Sequence, residues 1–288
     1  MISVIVSFRN EEGNLEELFY RVQKQLSQTK FDYEVIFVND DSTDKSKEVL
    51  NKLKLKFSHE INVLNTPSRF GQVQCMWLGL KESKGDAIVF LDADLQDPPE
   101  LIGQMVEYWQ EGYDVVHTKR TIRLGENRIK MLLTDIAYWI INKVSYIDLP
   151  PQEGDYKLIS HKVAIRLLEF DEENPYLRGL IRFISSNSKV IKYKRNKRAS
   201  GKTKFSFWTL NPIETFFIGV TSFSVFPLYL PFIFCLFFLL SFLLPIGKED
   251  LSLIANLFIL FSLGVIGVYL ARIHVQSRRR PQGFISKE

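Results

Sequence analysis

Short apolar runs alternate with helical patterns along the first 120 residues of the chain. Five runs have the length and composition of strands: Ile2–Phe8, Tyr33–Val38, Ile61–Leu64, Ala87–Leu91 and Asp114–Thr118. Between these runs, apolar residues recur every three or four positions, which is the spacing of an amphipathic helix. Leu15, Leu18, Phe19, Val22 and Leu26 form the first such set. Strand–helix alternation predicts an α/β fold with a mostly parallel sheet and helices on both faces.

A sheet of this kind places its ligands beyond the carboxyl ends of its strands. Four segments directly follow or end predicted strands: Ser7–Glu12, Asn39–Asp44, Asp92–Glu100 and Lys119–Arg123. We therefore expect the functional side chains to come from these four segments.

Two long uncharged runs dominate the last third of the chain. No charged residue lies between Glu214 and Lys248, and a second uncharged run extends from Leu251 to Ala271. A membrane-spanning helix needs about 20 apolar residues, whereas the mean helix of a globular protein has about 11–12. The pattern predicts an interfacial helix at 205–222 and a transmembrane hairpin with spans at 223–246 and 251–271. Two buried core helices are the alternative.

Charge divides the chain into an acidic front and a basic back. Residues 189–288 carry 14 Lys and Arg against 4 Asp and Glu, whereas residues 1–188 carry 23 against 29. Cations on both sides of the hairpin predict that residues 1–204 and the basic tail at 272–288 are cytoplasmic, at the cell (inner) membrane. The same cations favour an anionic lipid bilayer as a partner. The first residues lack the pattern of a signal peptide.

Several classes of protein are disfavoured. Two cysteines, Cys75 and Cys235, are too few for a disulfide scaffold, and the four histidines lack the spacing of zinc ligands. Gly201-Lys202-Thr203 lacks the upstream glycine of a P-loop, because position 196 is Asn. No G-x-G-x-x-G follows the first strand, which argues against a dinucleotide oxidoreductase. We expect no nucleic-acid partner.

Two acidic loops carry the candidate chemistry. Asp92-Ala93-Asp94 follows an apolar strand, where two carboxylates suit a divalent Mg²⁺ or Mn²⁺ ion and its attached diphosphate. The loop Asn39–Asp44 contains three acids, one of which can accept a hydrogen bond from a base. Ser42 or Thr43 can instead cap the next helix, although capping does not account for the acids.

These motifs resemble, in order, those of the polyprenyl-phosphate glycosyltransferases of glycosyltransferase family 2. That group includes the dolichol-phosphate mannosyltransferase and undecaprenyl-phosphate glucosyltransferase types. The matching pieces are SFRNEEGN at 7–14, VNDDSTD at 38–44, GDAIVFLDADLQDPPE at 85–100, GDYKLISHKV at 154–163, YLRGLI at 176–181 and RASGKTKF at 198–205. The resemblance implies a GT-A fold that transfers a sugar from a nucleotide diphosphate to a lipid phosphate.

The resemblance also assigns residues to the donor side. It implies that Ser7, Arg9 and Glu11 form the first nucleotide-binding loop, that Asp40 reads the base, and that Asp92, Asp94 and Gln96 bind the metal and diphosphate. Asp94 is the expected catalytic residue there. The family pattern Pro-x-Tyr-Asn-Glu is replaced by Ser7-Phe8-Arg9-Asn10-Glu11, so base stacking falls to the planar guanidinium of Arg9.

On the acceptor side, the resemblance implies a phosphate site and an acidic residue, Asp155, which is the second expected catalytic residue. The phosphate site consists of Arg120, Lys130, Thr134, Arg198 and Lys204. Lys130 and Thr134 lie in an amphipathic segment, 129–144, that packs on the core or lies on the bilayer. A membrane-surface cation patch is the default interpretation of residues 189–204, and a solvated loop face is the alternative for Arg120.

The expected reaction is inverting transfer of glucose or a related hexose from a UDP-sugar to undecaprenyl phosphate. A phosphate monoester has a second pKa of about 6 and is mostly ionised at pH 7, so we expect Asp155 to orient groups rather than to abstract a proton.

The nearest alternative is a GDP-mannose-dependent dolichol-phosphate mannosyltransferase. A processive synthase lacks support, since no Q-x-x-R-W is present. A catalytically inactive nucleotide-binding membrane scaffold is the alternative from another class. The resemblance allows a homo-oligomer.

Overall fold

The computed structural model describes residues 1–123, 128–150, 152–195, 211–241 and 248–286. Its strands are β1 (Ile2–Phe8), β2 (Tyr33–Asn39), β3 (Ile61–Asn65), β4 (Ala87–Asp92), β5 (Val115–Arg123), β6 (Glu153–Ser160) and β7 (Ser188–Arg195). Its helices are α1 (Leu15–Leu26), α2 (Ser46–Lys56), α3 (Gln72–Glu82), α4 (Leu101–Gln110), α5 (Arg128–Val144), α6 (His161–Leu168), α7 (Leu177–Ile184), α8 (Asn211–Ser222), α9 (Leu230–Ser241) and α10 (Lys248–Ser277).

The strands form one seven-stranded sheet in the order β3-β2-β1-β4-β6-β5-β7. The first four are mutually parallel, β6 runs antiparallel to both β4 and β5, and β7 is parallel to β5. This arrangement confirms the predicted α/β class and the mostly parallel sheet. All five predicted strands are present, and the fifth continues five residues beyond its predicted end at Thr118, to Arg123.

Helices cover both faces of the sheet, as the alternation predicts. Apolar residues of α1, α2 and α4 pack on one face, and those of α3, α6 and α7 pack on the other. All seven residues of β1 are buried, which is the pattern of a strand covered on both sides. Burying one Val, Leu, Ile or Phe side chain contributes about 1.5–3 kcal/mol, so this central strand anchors the loops at its end.

Helix α5 is amphipathic, as predicted. Its Ile141 belongs to the second core cluster, while Leu132 and Trp139 are 61% and 62% exposed. The side of α5 away from the core therefore presents a row of large apolar side chains to the surroundings. Helix α8 packs beside α5, with Gly219 against Ile141, and forms the described part of the predicted interfacial segment 205–222.

Among the described residues, one helix is long and apolar enough to cross a bilayer. Ser252–Ser277, within α10, has 26 residues and a mean hydropathy of 2.3, and none of its apolar window is buried. At 1.5 Å per residue it is about 39 Å long. Helix α10 contains the predicted span 251–271 and continues six residues past it.

The predicted first span, 223–246, is not one straight helix over its described part. Phe226–Tyr229 forms a 3₁₀ turn before α9, and residues 242–247 lie outside the described ranges. Phe216–Ser222 and Phe226–Leu240 together have the length and composition of a span but are bent by 82°. The turn contains Pro227, which has no N–H to donate to a continuous helix. The two-span hairpin stays a prediction.

Substitution by alanine should have opposite effects on stability at two helical glycines. Gly79 of α3 packs closely on the sheet, whereas Gly103 of α4 does not. A Cβ at Gly79 would lie 2.5 Å from Cγ2 of Ile5 and 3.2 Å from Cγ2 of Val38, whereas a Cβ at Gly103 would meet only Oε1 of Gln25, at 3.7 Å. Gly79→Ala should destabilise the protein by about 1–3 kcal/mol through overpacking. Gly103→Ala should be neutral or stabilise it by up to about 1 kcal/mol through helix propensity.

The thermal midpoint of the purified full-length protein, compared between the two variants, measures this difference. Equal midpoints for Gly79→Ala and Gly103→Ala would show that α3 moves away from β1 at no cost, contrary to the packing argument.

Candidate active site

The parallel half of the sheet brings three of the predicted segments to one edge. In the strand register Ser7 of β1 lies opposite Asp92 of β4, and Phe8 lies opposite Asn39 of β2. The segments that follow these strands therefore emerge side by side, as the sequence predicts. Asn65 ends the outer strand β3 at the same level as Asn39.

The loops after β1 and β2 are joined by hydrogen bonds. The backbone N–H of Asn10 donates to Oγ of Ser42 (2.9 Å), and Oδ1 of Asn10 accepts from the backbone N–H of Thr43 (2.8 Å). Oε2 of Glu12 accepts from the backbone N–H of Lys45 (2.8 Å). Asn10 has a φ of 54°, a left-handed conformation that Asn adopts more readily than most residues. The two loops therefore form one rigid wall of the site.

Ser42 and Thr43 do not cap the following helix, so the capping alternative is wrong for both. Helix α2 begins after Lys45, and the backbone N–H of Ser46 donates to Oδ1 of Asp44 (3.0 Å). The carboxylate of Asp44, just before the first turn, accepts this N–H, and the hydroxyls of Ser42 and Thr43 bind the neighbouring loop instead.

Three residues predicted for the nucleotide lie in or beside the first loop. Ser7 is 7% exposed, and its hydroxyl has no hydrogen-bond partner among the described residues. Glu11 is also 7% exposed and accepts a hydrogen bond from Nδ2 of Asn14 (2.7 Å). Arg9 donates from Nε to the backbone carbonyl of Asp41 (3.3 Å). The structure thus brings Arg9 against the second loop, while Glu11 is oriented by the start of α1.

The buried carboxylate of Asp40 holds a third loop. Its Oδ1 accepts from the backbone N–H of Phe70 (2.7 Å) and of Gly71 (3.2 Å), and its Oδ2 lies 3.2 Å from the Gly71 nitrogen. Gly71 has a φ of 106°, which only glycine adopts at little cost. Residues 66–71 are therefore fixed relative to Asp40, and we call them the base-side loop.

The turn after β4 presents the two acids Asp92 and Asp94. Oδ1 of Asp92 accepts from Nε2 of Gln72 (2.6 Å), and Oδ1 of Asp94 accepts from the backbone N–H of Gln96 (3.1 Å). Leu95 has a φ of 57°, a conformation that costs about 1 kcal/mol or more for a non-glycine residue. The left-handed turn at Leu95 brings the backbone of Gln96 beside the carboxylate of Asp94, and the metal and diphosphate role of Gln96 stays a prediction.

Negative charge accumulates around Asp92. Burial, together with the charges of Asp97, Asp155 and Asp94, raises the pKa of Asp92 to about 7. Each of these carboxylates disfavours ionisation of its neighbour, so a cation bound at this turn would be stabilised. Among the residues that the structure describes, no three His, Cys, Asp or Glu side chains come together as a metal site.

The side chains of Asp92 and Asp94 nevertheless fit a magnesium or manganese ion. Both supply hard carboxylate oxygens, and Mg²⁺ in proteins is commonly held by one or two carboxylates plus substrate phosphates. The excess negative charge at Asp92 agrees with such a ligand. A two-carboxylate site of this kind requires the phosphates of a second molecule to complete it.

Asp97 is the fully buried centre of a charged cluster that faces this turn. It accepts hydrogen bonds from Tyr193 Oη, from Nη2 of Arg120 (3.1 Å) and from Nε of Arg195 (3.3 Å). Burial alone would lower the pKa of Arg120, yet the carboxylate of Asp97 holds it above its ordinary value. A Cβ on Gly154 would lie 2.8 Å from Nη2 of Arg120, so the glycine makes room for the guanidinium.

Arg120 is therefore not a solvated loop residue. It lies in the last part of β5, and its charge is paired with Asp97 and directed toward the acids. Arg195, at the end of β7, has one nitrogen 3.9 Å from Oδ2 of Asp94. The interpretation of residues 189–204 as a membrane-surface patch is wrong for Arg195, whose side chain is only 19% exposed.

Asp155 lies on β6 in a bidentate pair with Arg178 of α7. Both N···O distances are 2.7 Å, and Arg178 also donates to Oη of Tyr138 on α5 (3.2 Å). Burial alone would raise the pKa of Asp155, but the Arg178 guanidinium holds it well below the usual range. Burial lowers the pKa of the neighbouring Lys157 to about 8. Asp155 is thus an ionised and oriented carboxylate, and a weak base.

The other predicted acceptor residues are only partly described. Thr134 is partly exposed on α5, and Lys130 belongs to the first turn of the same helix. Arg198 and Lys204 lie outside the described residues. The structure therefore brings together Asp92, Asp94, Asp155 and Arg120, and it leaves the remaining acceptor assignments as predictions.

Sequence reasoning missed five side chains of the site: Gln72, Asp97, Arg178, Tyr193 and Arg195. Asp97 and Arg178 stand inside DADLQDPPE and YLRGLI, so those motifs already contained the signal. For Arg195, the sequence offers one signal: it ends the segment SKVIKYKR, in which β-branched and aromatic residues are interspersed with charged residues as in a strand.

The fold is similar to that of a solved structure. Mannosyl-3-phosphoglycerate synthase from Rubrobacter xylanophilus matches with a TM-score of 0.50 at 15% identity, over 77% of this chain and 72% of that protein. This likeness bears on the fold alone. Together with the observed sheet it confirms the expected GT-A-type fold.

Sequence comparison covers nearly the whole chain. An uncharacterized glycosyltransferase of Bacillus subtilis (strain 168), YkcC, is 34% identical to this chain in an alignment that covers 99% of this chain and 93% of that protein. A bactoprenol glucosyl transferase of Shigella phage SfV is 30% identical, over 100% of this chain and 98% of that protein. Residues 3–168 match the model of glycosyl transferase family 2. The chain belongs to glycosyl transferase family 2.

Proposed function

We propose that this protein transfers a hexose, with glucose favoured, from a UDP-sugar to the phosphate of a polyprenyl phosphate at a membrane, with inversion at the anomeric carbon. The observation that carries the proposal is the acid pair Asp92 and Asp94 facing the cations Arg120 and Arg195 across one sheet edge. Acids suit a metal-bound diphosphate, and cations suit a second phosphate. The full-length similarity to a bactoprenol glucosyl transferase supports the polyprenyl acceptor.

The donor half of the site is formed by the loops after β1, β2 and β4. Ser7, Arg9 and Glu11 contact the nucleotide, and Asp40 with the base-side loop contacts the base. Asp92 and Asp94 hold Mg²⁺ or Mn²⁺, with Gln96 beside them, and Gln72 orients Asp92 through its hydrogen bond. The bound ion supplies Lewis-acid stabilisation of the leaving diphosphate.

The acceptor half is formed by the cations. Arg120, Lys130, Thr134, Arg198 and Lys204 bind the phosphate of the acceptor, and we add Arg195 to this set because of its position near Asp94. Asp97 keeps Arg120 and Arg195 in place while it offsets part of their charge. The phosphate thus meets guanidinium groups that are already oriented.

The reaction is a direct displacement. A phosphate oxygen of the acceptor forms a bond to the anomeric carbon as the bond from that carbon to the diphosphate oxygen breaks, and the electron pair leaves with UDP. The attacking oxygen is already ionised at pH 7, so no strong base is required. This agrees with the lowered pKa of Asp155, which orients Arg178 and the groups around the acceptor.

The membrane-associated elements keep this chemistry at a bilayer surface. Helix α10 and the predicted hairpin hold residues 1–204 on the cytoplasmic side, and the exposed apolar face of α5 lies against the lipid. The acceptor tail then stays in the bilayer while its phosphate reaches Arg120 and Arg195. No specific observation favours a GDP-mannose donor or an inactive scaffold.

The carboxylate of Asp94 is the first test of the proposal. Asp94→Asn should lower kcat/KM for transfer of radiolabelled sugar to undecaprenyl phosphate by about 10³-fold, or about 4 kcal/mol, because it removes a charge at the diphosphate. The assay uses a panel of UDP- and GDP-sugars with Mn²⁺ or Mg²⁺. Asp114→Asn is the matched control, since Asp114 pairs with Lys162 away from these loops and should keep activity.

Formation of labelled lipid from a GDP-sugar, and from no UDP-sugar, would refute the proposed UDP donor. It would support the mannosyltransferase alternative. No labelled lipid from any donor, with folded protein that binds UDP, would favour the inactive scaffold.

The role of Asp155 predicts a smaller loss with no change in pH dependence. Asp155→Asn should lower kcat by about 10- to 100-fold, less than Asp94→Asn. The wild-type carboxylate is ionised throughout pH 6–9, because its lowered pKa lies far below that range. With Mn²⁺ at saturation, which keeps its proposed ligand Asp92 ionised, the shape of the kcat profile over pH 6–9 should therefore be the same for wild type and Asp155→Asn. Loss of an acidic limb in the variant would identify Asp155 as a general base instead.

The same ion pair predicts the acid sensitivity of the fold. A carboxylate with a depressed folded-state pKa stabilises the protein above its unfolded pKa of about 3.9, and this stabilisation is lost as the pH falls further. Asp155→Asn leaves Arg178 buried without its partner and should destabilise the protein by about 3–5 kcal/mol at pH 7. Thermal midpoints at pH 7 and pH 3 measure this, and the difference between wild type and variant should be smaller at pH 3, where the carboxylate is protonated in most of the unfolded chains.

A further inference from the structure

The chain does not continue as a free tail from the long helix α10 to residue 286. It reverses at Arg279, whose φ of 50° is in the left-handed region, and then runs back over the α/β domain. The sequence predicts residues 272–288 to be a basic cytoplasmic tail. Residues 272–277 instead complete α10, and residues 281–286, which we call the return segment, contact the protein surface near the donor loops.

The junction between α10 and the return segment is anchored at residues 171–173. The backbone N–H of Glu173 donates to Oε1 of Gln276 (3.0 Å), and the carboxylate of Glu173 pairs with Arg278 (3.0 Å). Gln282 is 8% exposed and donates from Nε2 to the carbonyl of Glu172 (2.6 Å). These contacts fix the direction in which the return segment leaves the helix.

Beyond this anchor, the return segment contacts the base-side loop. The rings of Phe284 and Phe70 form an edge-to-face pair with centroids 6.2 Å apart. A Cβ on Gly283 would lie 3.0 Å from Cδ1 of Leu78 and 3.5 Å from Cγ of Phe70, so the backbone lies close to the loop. The backbone N–H of Ser286 donates to the carbonyl of Asn65 (2.7 Å), the last residue of the edge strand β3.

The two residues that the return segment contacts, Phe70 and Asn65, are both connected to Asp40 or to its neighbour in the chain. Phe70 donates its backbone N–H to the carboxylate of Asp40. Asn65 accepts a side-chain hydrogen bond from Asn39 (3.0 Å), which directly precedes Asp40. The return segment therefore packs against the outer side of the loop whose inner side carries the Asp40 contact.

We propose that the return segment is a positioning element for the donor nucleotide, in which Phe284 and Ser286 hold the base-side loop where Asp40 meets the base. The inference rests on the proposed nucleotide-sugar donor and adds an element outside the family-matched residues 3–168. Through the return segment, the C-terminal end of α10 is connected by direct contacts to the donor half of the site.

The test is the variant Phe284→Ala in the full-length protein. Its Kd for UDP in the presence of Mn²⁺, and its KM for the donor, should rise about three- to tenfold, the range that an aromatic pair supplies. The KM for undecaprenyl phosphate and the kcat at saturating donor should stay within about twofold of wild type. Phe284→Tyr keeps the ring and should restore the wild-type Kd, since Phe284 is 54% exposed and leaves room for a hydroxyl.

Phe31→Ala is the matched control. Phe31 makes an edge-to-face contact with Trp109, with centroids 5.3 Å apart, just before β2 and therefore at the opposite edge of the sheet. Its removal should lower the thermal midpoint as Phe284→Ala does, but it should not change the Kd for UDP.

Three results would overturn the inference. One is an unchanged Kd for UDP in folded Phe284→Ala, and another is an equal rise of Kd in Phe31→Ala, which would reduce the effect to general destabilisation. The third is a wild-type protein that binds no UDP, which would refute the proposed donor itself. Because binding is measured without turnover, failure of sugar transfer with intact UDP binding would refute the proposed reaction and leave the positioning role supported.

Discussion

The structure depends on a cluster of carboxylates near the end of β4 and on the cations that offset their negative charge. Burying an unpaired charge costs several kcal/mol, and Asp97 and Asp155 are both withdrawn from solvent. Each has a guanidinium partner delivered by a distant part of the chain: Arg120 and Arg195 for Asp97, and Arg178 for Asp155. Among the described residues, Asp92 has a neutral hydrogen-bond donor, Gln72, and no ion-pair partner, and burial together with the neighbouring carboxylates raises its pKa. The unbalanced negative charge is thus concentrated where a metal-bound diphosphate is proposed.

The change of strand direction in the sheet separates the two halves of this charge distribution. Strands β1 to β4 are parallel and supply the loops with Ser7, Asp40 and Asp92, whereas β6 enters antiparallel and places Asp155 beside them. Strands β5 and β7 then add Arg120 and Arg195 from the far side. The proposed transfer of a sugar between two phosphate-bearing substrates uses acids and cations in close but distinct positions, and this topology provides both from one sheet.

Local patterns were sufficient to predict the parallel half. Burial on both faces makes β1, β2 and β4 continuous apolar runs, and their loops follow them directly in sequence, so the position of Asp40, Asp92 and Asp94 at one edge of the sheet could be predicted. The pairs Arg178–Asp155, Arg195–Asp97 and Phe284–Phe70 were not found, because their members lie 23, 98 and more than 200 residues apart and no local period connects them. Lysine- and arginine-rich β7 resembles a lipid-facing patch by composition, and only the sheet pairing shows that Arg195 faces the acids.

The positions of α5, α7 and α10 indicate how a membrane location would act on the site. Tyr138 of α5 accepts a hydrogen bond from Arg178, which orients Asp155. On the other side, α10 continues through its anchored junction into the return segment beside the base-side loop. Elements with exposed apolar faces are therefore tied by side-chain contacts to the acceptor half and to the donor half separately. If these contacts set the geometry of each half, removal from the bilayer would reduce turnover without unfolding the α/β domain, since the two core clusters around the sheet are built mainly from residues outside α10.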